Sequence, residues 1–163
     1  MSSETISVSK LMNRKVQSDF EDQNIMSACN IMHANDIGSV IIVTRNEGRT
    51  PIGIITERDI VRILGKLNPD LLNTPLETLM SSPLITIEES ASMADASKLM
   101  NTKKIRRLVV LDANNKMSGI LTQNDIFRAI DKNPTLFSEL YGKSFSSKFK
   151  EIYEKYNQYR SED

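Results

Sequence analysis

The 163 residues carry 21 basic and 21 acidic side chains, so the formal net charge is zero and a strongly basic, general polyanion binder is excluded. The length suits one domain or two small lobes sharing a core, and no apolar run reaches the roughly 18 residues of a membrane span. A polar N-terminus without a signal-peptide core, a single cysteine (Cys29) that excludes an internal disulfide, no tryptophan and one histidine predict a cytoplasmic protein with little material for His-based metal sites or catalysis.

In chain order, residues 6–12 form a short lead-in with Ile6, Val8, Leu11 and Met12 apolar, and residues 16–20 a brief extended segment. Asp22 is placed to cap a helix with Ile25, Met26, Cys29, Met32 and His33 on one side, ending near Asn35. Residues 37–43 are β-rich and almost wholly apolar, as in a strand buried on both faces. A turn over 44–50, with Asn46 and Gly48, leads to a strand over 51–55 and a helix from Thr56 to about Gly65. After a link over 67–74, Thr74-Pro75-Leu76-Glu77 is predicted to open a short helix with Pro at its first position and a capping box. Residues 84–87 are extended, and 91–101 a helix with Met93, Ala96, Leu99 and Met100 inward. Strands over 105–111 and 117–121, joined by a turn over 112–115, precede a helix from Thr122 to about Lys132.

The pattern strand–helix–strand–strand–helix therefore occurs twice. Met12 matches Met80 and Ile37 matches Ile105 at a spacing of 68, which drops to 66 after the turn because the first turn is two residues longer. Internal duplication is the strongest statement the sequence supports. Its most conspicuous element is Gly53-Ile54-Ile55-Thr56-Glu57-Arg58-Asp59, returning as Gly119-Ile120-Leu121-Thr122-Gln123-Asn124-Asp125. A single Thr-x-x-Asp is a common helix start. Two of them, each after Gly and a buried strand, mark a corner where polar side chains gather. A helix start exposes backbone N–H groups that favour phosphate, and a carboxylate beside it can accept from the hydroxyls of a ribose. Together they point to a nucleotide.

The chain resembles a tandem pair of CBS domains, the arrangement called a Bateman module. The resemblance is carried by the Met12 and Met80 segments, the strand starts Ile37-Gly38-Ser39-Val40 and Ile105-Arg106-Arg107-Leu108, and the two Gly-x-x-Thr-x-x-Asp corners, and it covers about residues 6–132. It implies an α/β (α+β) fold of two β-α-β-β-α units, which we expect to pack through their sheets about a pseudo-twofold axis. The expected boundaries are 6–66 for the first repeat, 67–75 for a linker, 76–132 for the second repeat and 133–163 for a helical tail.

The family implies a non-catalytic regulatory sensor, needing no cofactor, that holds AMP, ADP or ATP, or S-adenosylmethionine, in the cleft between the repeats. Carried over, Asp59 and Thr56 would hold ribose at one site and Asp125 and Thr122 at the other. Backbone and apolar side chains about Ile37, Gly38, Ser39 and Ile105 would flank adenine, and Arg106 and Arg107 would reach phosphate. Arg58 is a further phosphate candidate, matched only by Asn124. Gly38 and Ser39 offer no charge where Arg106 and Arg107 do, so the two sites should be unequal. Cys29 and His33, four apart, are read as core packing because no other Cys or His completes a metal site.

The tail differs in composition. Phe137, Tyr141, Phe145, Phe149, Tyr153, Tyr156 and Tyr159 are concentrated there. Asn133-Pro134 reads as a helix start and Gly142 as a stop. Phe145, Phe149, Ile152, Tyr153 and Tyr156 then form one apolar helical face, suited to packing on its own module or in a homodimer. The rival reading is a nucleic-acid-associated protein using the basic patch and the aromatic tail, against which the tail's balanced charge argues. The expected partners are an adenine nucleotide, a second copy and a regulated protein, with no membrane.

Overall fold

The computed structural model describes residues 6–141. The tail's stop at Gly142 and its aromatic face from Phe145 to Tyr159 lie outside the described residues. The first repeat runs α1 (Val8–Leu11), β1 (Ser18–Phe20), α2 (Ile25–Asn35), β2 (Ser39–Val43), β3 (Pro51–Thr56) and α3 (Glu57–Leu64). After a 3-10 turn at Pro69–Leu72 the second runs α4 (Leu76–Leu79), β4 (Thr86–Glu88), α5 (Met93–Lys103), β5 (Arg107–Leu111), β6 (Met117–Thr122) and α6 (Gln123–Lys132), followed by α7 (Leu136–Tyr141). The expected duplicated α/β unit is present, with the lead-ins folded as short helices.

Each repeat has a three-stranded sheet, ordered β1-β2-β3 and β4-β5-β6. In the first, β2 lies parallel to β1 and antiparallel to β3. The central strand β2 is buried on both faces, which is why its sequence is a continuous apolar run. Val40 and Ile42 pack with Ile25, Ala28 and Met32 of α2, Ile63 of α3 and Leu76 of α4. Ile41 and Val43 point the other way, into a second cluster with Val109, Phe20, Ile54, Met117 and Ile120. Strands of both repeats contribute to that second cluster.

Two helix starts differ from expectation. Asn24, not Asp22, caps α2, its Oδ1 accepting from the N–H groups of Met26 and Ser27. Asp22 is instead held by Arg45, whose Nε and guanidinium N–H donate to its two oxygens at 2.9 and 2.7 Å while the guanidinium stacks 4.2 Å from the Phe20 ring centre. At α4 the cap is Pro75, with no side-chain bond, because the Thr74 hydroxyl donates to the Asp70 carbonyl of the preceding turn. The helices α2 and α5 end alike: Asp36 and Lys104 adopt the left-handed conformation, and the next N–H returns to the Met32 and Met100 carbonyls, both at 3.0 Å. Asn133 closes α6, and its Oδ1 accepts from the Thr135 N–H and hydroxyl at the approach to α7.

The chain parts into two compact units that do not follow the order of the sequence repeats. Among the described residues, one comprises 6–12, Glu88–Leu108 and 121–141; the other comprises Asn13–Ile87 with Val109–Ile120. Two features produce this: Val109–Ile120 joins the second unit through its cluster with Ile41 and Val43, and the lead-ins are exchanged. In the first unit the Val8 and Ser9 N–H groups donate to the Ala91 and Glu89 carbonyls, and the Met93 N–H to the Ile6 carbonyl. In the second, the equivalent Leu76 and Glu77 donate to Gln23 and Glu21 at 2.7 and 3.0 Å. Each lead-in thus docks on the other repeat, and the anchors Val8 and Leu76 are fully buried.

The exchange extends to the sheet edges: Ser81 pairs with Ile54 of β3, and Asn13 with Ile120 of β6. Gly53 permits the first of these, because a Cβ there would overlap the Met80 Sδ and stand 2.6 Å from its Cγ. Gly53→Ala should therefore cost about 1–3 kcal/mol in a urea melt, and Met80→Ala in the same chain should relieve part of the added methyl's cost, because it removes the Sδ and Cγ overlap and leaves only the Met80 Cβ at 3.0 Å. Independently, the Arg45 hydrogen bonds hold the Asp22 carboxyl below its ordinary value of 3.8. Carboxyl NMR should show Asp22 ionised at more acid pH than a free aspartate, with the titration rising toward 3.8 in Arg45→Gln.

Candidate functional site: the two β-to-α corners

A short apolar strand ending at a Thr delivers the chain directly into a helix at both corners, and the Thr becomes the N-cap. At the first corner the Thr56 N–H and hydroxyl donate to Asp59 Oδ2 at 2.9 and 2.6 Å, and the Asp59 N–H donates back to Thr56 Oγ1 at 3.4 Å. At the second, the corresponding distances for Thr122 and Asp125 are 2.8, 2.6 and 3.2 Å. Both are complete capping boxes.

A third box, Ser92 with Asp95 at the start of α5, has the same connectivity but lies exposed. Capping geometry alone is therefore not a ligand signature. What sets the two corners apart is shielding: the Asp59 and Asp125 side chains retain 14% and 19% of their accessibility.

The strand starts join the corners through the backbone. The Glu57 N–H donates to the Gly38 carbonyl at 3.3 Å and the Gln123 N–H to the Arg106 carbonyl at 3.0 Å. Ser39 sits opposite Thr56 in the sheet register. The structure thus gathers Gly38, Ser39, Thr56 and Asp59 at one corner, and Arg106, Thr122 and Asp125 at the other. Ile37 and Ile105 are half-buried just before the strand starts, tied to Met32 and Met100. Arg107 is half-buried as the first residue of β5, Arg106 is exposed, and Arg58 is exposed with no side-chain partner among the described residues.

The expected supply of unpaired helix-start amides is reduced. Of the amides at residues 57–59, Glu57 and Asp59 are already engaged, leaving Arg58, and the same pattern leaves Asn124 in the second corner. An anion there must draw mainly on side-chain cations. Sequence reading missed two arginines that face the corner carboxylates: Arg62, 4.0 Å from Asp59 Oδ1, and Arg128, 3.3 Å from Asp125 Oδ1. The available signal was an Asp-x-x-Arg spacing repeated at 66 residues. Cys29, on α2, is half-buried against the core, and burial pushes its thiol up, which favours the unreactive protonated form.

Removing either Thr hydroxyl deprives the Asp oxygen of a donor and the Asp N–H of an acceptor. Thr56→Ala or Thr122→Ala should lower stability by about 1–2 kcal/mol in thermal or urea unfolding.

The CBS domain profile matches residues 8–66 and 76–132. A protein of Methanopyrus kandleri that carries no assigned function is 40% identical over 126 residues, covering 76% of this chain and 62% of that protein. A similar Methanocaldococcus jannaschii protein is 31% identical, covering 91% of this chain and 38% of its own length. The chain therefore spans less than two thirds of these relatives. Among solved structures, a CBS domain protein from Pyrobaculum aerophilum in complex with AMP is 26% identical, covers 85% of this chain and 100% of its own, and superposes with a TM-score of 0.73. Two profile matches, in register with the duplicated elements and the paired corners, show that this chain belongs to the CBS domain family.

Proposed function

We propose that the chain is a non-catalytic regulatory module that binds an adenine nucleotide, AMP first among the candidates, at its β-to-α corners. The observation that carries this reading is the shielded carboxylate, present in both repeats in the first turn after an equivalent strand, with Oδ2 held by Thr and Oδ1 facing only a largely solvent-exposed arginine. An acid so placed can accept from a sugar hydroxyl without itself moving. The similarity to a CBS protein that holds AMP supports that choice of ligand. In this reading Asp59 with Thr56 and Asp125 with Thr122 position ribose, Arg58, Arg106 and Arg107 meet phosphate, and Ile37, Gly38, Ser39 and Ile105 border the base.

Function as a cytoplasmic homodimer that passes occupancy to a regulated protein belongs to the same proposal. The exposed Val61 and Phe127, at equivalent positions of α3 and α6, supply apolar surface for contact with a second copy.

Calorimetric titration with AMP, ADP, ATP, S-adenosylmethionine and a short oligonucleotide tests the reading. AMP should bind, and Asp59→Asn and Asp125→Asn should each remove one binding event while leaving the fold intact by circular dichroism. Oligonucleotide binding that falls steeply with salt and survives both substitutions would instead support a nucleic-acid role.

A further inference from the structure

The capping boxes restrict how each acid can meet a sugar. Oδ2 of Asp59 and of Asp125 already receives two donors, the Thr N–H and the Thr hydroxyl, which occupy its lone pairs. Oδ1 alone can take a new donor. Three residues on, one turn along the helix, an arginine faces that same oxygen in each repeat.

The two arginines hold it differently. Arg62 stands 4.0 Å from Asp59 Oδ1, an ionic contact beyond hydrogen-bonding reach. Arg128 donates to Asp125 Oδ1 at 3.3 Å and also reaches the Asn124 carbonyl through Nε at 3.4 Å. Both guanidinium groups are largely in solvent, with 69% and 72% of the side chain accessible, so either can swing away without disturbing the fold. We infer that Arg128 is a built-in competitor for a ribose diol, occupying the one acceptor oxygen its corner has left, while Arg62 only stands near its counterpart, and that this difference makes the repeat-2 corner the weaker sugar site. This rests on the reading of the corners as adenosine sites and adds what sets their relative affinity.

A sugar hydroxyl that bonds Asp125 must displace a hydrogen-bonded guanidinium, whereas Asp59 presents an oxygen with only a loose ionic neighbour. The displaced pair is a surface ion pair, equivalent to about a one-and-a-half-fold to fivefold change in affinity. The competition is electrostatic, so salt screens it. An uncharged nucleoside should therefore bind the repeat-2 corner more tightly as salt rises, the reverse of the trend for a phosphate ligand.

The test uses the full chain with adenosine, which presents the diol without phosphate, and with AMP, at low and high salt. Wild type is compared with Arg128→Gln, Arg128→Lys, Asp59→Asn and Asp125→Asn. In wild type the tighter adenosine event should disappear in Asp59→Asn and the weaker one in Asp125→Asn. Arg128→Gln should strengthen the weaker event about threefold and abolish its gain with salt, and Arg128→Lys should restore both properties toward wild type. Unchanged or weaker adenosine binding in Arg128→Gln, in a protein whose wild type binds AMP, overturns the competitor role and leaves the corners as sites. If wild type binds neither adenosine nor AMP, the adenosine reading falls, and this inference with it.

Discussion

The fold depends on a handful of backbone hydrogen bonds that each lead-in makes with the repeat to which it is not joined in sequence. Val8 and Ser9 bond Ala91 and Glu89, while Leu76 and Glu77 bond Gln23 and Glu21. The anchors Val8 and Leu76 lose all exposure, and burial of that order stabilises by about 1.5–3 kcal/mol per side chain. The same exchange places Ser81 against β3 and Asn13 against β6, so the last strand of each sheet finds a partner on its outer side. Gly53 and Met80 are the side-chain consequence of that pairing: close approach leaves no room for a Cβ.

These edge pairings occur two residues before the corner threonines, so the strands that carry the candidate site are held just where they turn into helices. The corners then satisfy most of their own polar groups. Thr and Asp cap one another, and the first helical N–H of α3 and of α6 goes back to a strand-start carbonyl. A corner so constructed has a fixed carboxylate and few spare amides. It is better prepared to accept from hydroxyl groups than to cradle an anion by backbone alone.

Much of this was legible in the sequence because duplication doubles every signal. The strands expected at 37–43 and 105–111 and the Thr-x-x-Asp corners repeat at 68 and 66 residues, and the structure returns the corners as expected and the strands two residues shorter at the start, as Ser39–Val43 and Arg107–Leu111. Local capping was less legible. Asp22 and Asn24 are both good caps by type, and the choice fell to Asn24 because Arg45, 23 residues away, holds Asp22. Thr74 was diverted in the same way by the Asp70 carbonyl. The exchange of lead-ins was not legible at all, because it consists of backbone bonds between segments distant in sequence and leaves no periodicity. Asp19 was equally silent: it is buried in β1 with Oδ2 unpartnered among the described residues, where the second repeat has Ile87, and nothing in the structure explains its presence.

The crossed lead-ins also bear on how such a chain could be divided. A half cut off at the linker would keep a closing segment shaped for a mate it no longer has, and would offer an uncovered strand edge and an empty seat for a buried Val or Leu. Two such halves could satisfy one another as separate polypeptides by domain swapping, with no new contact required.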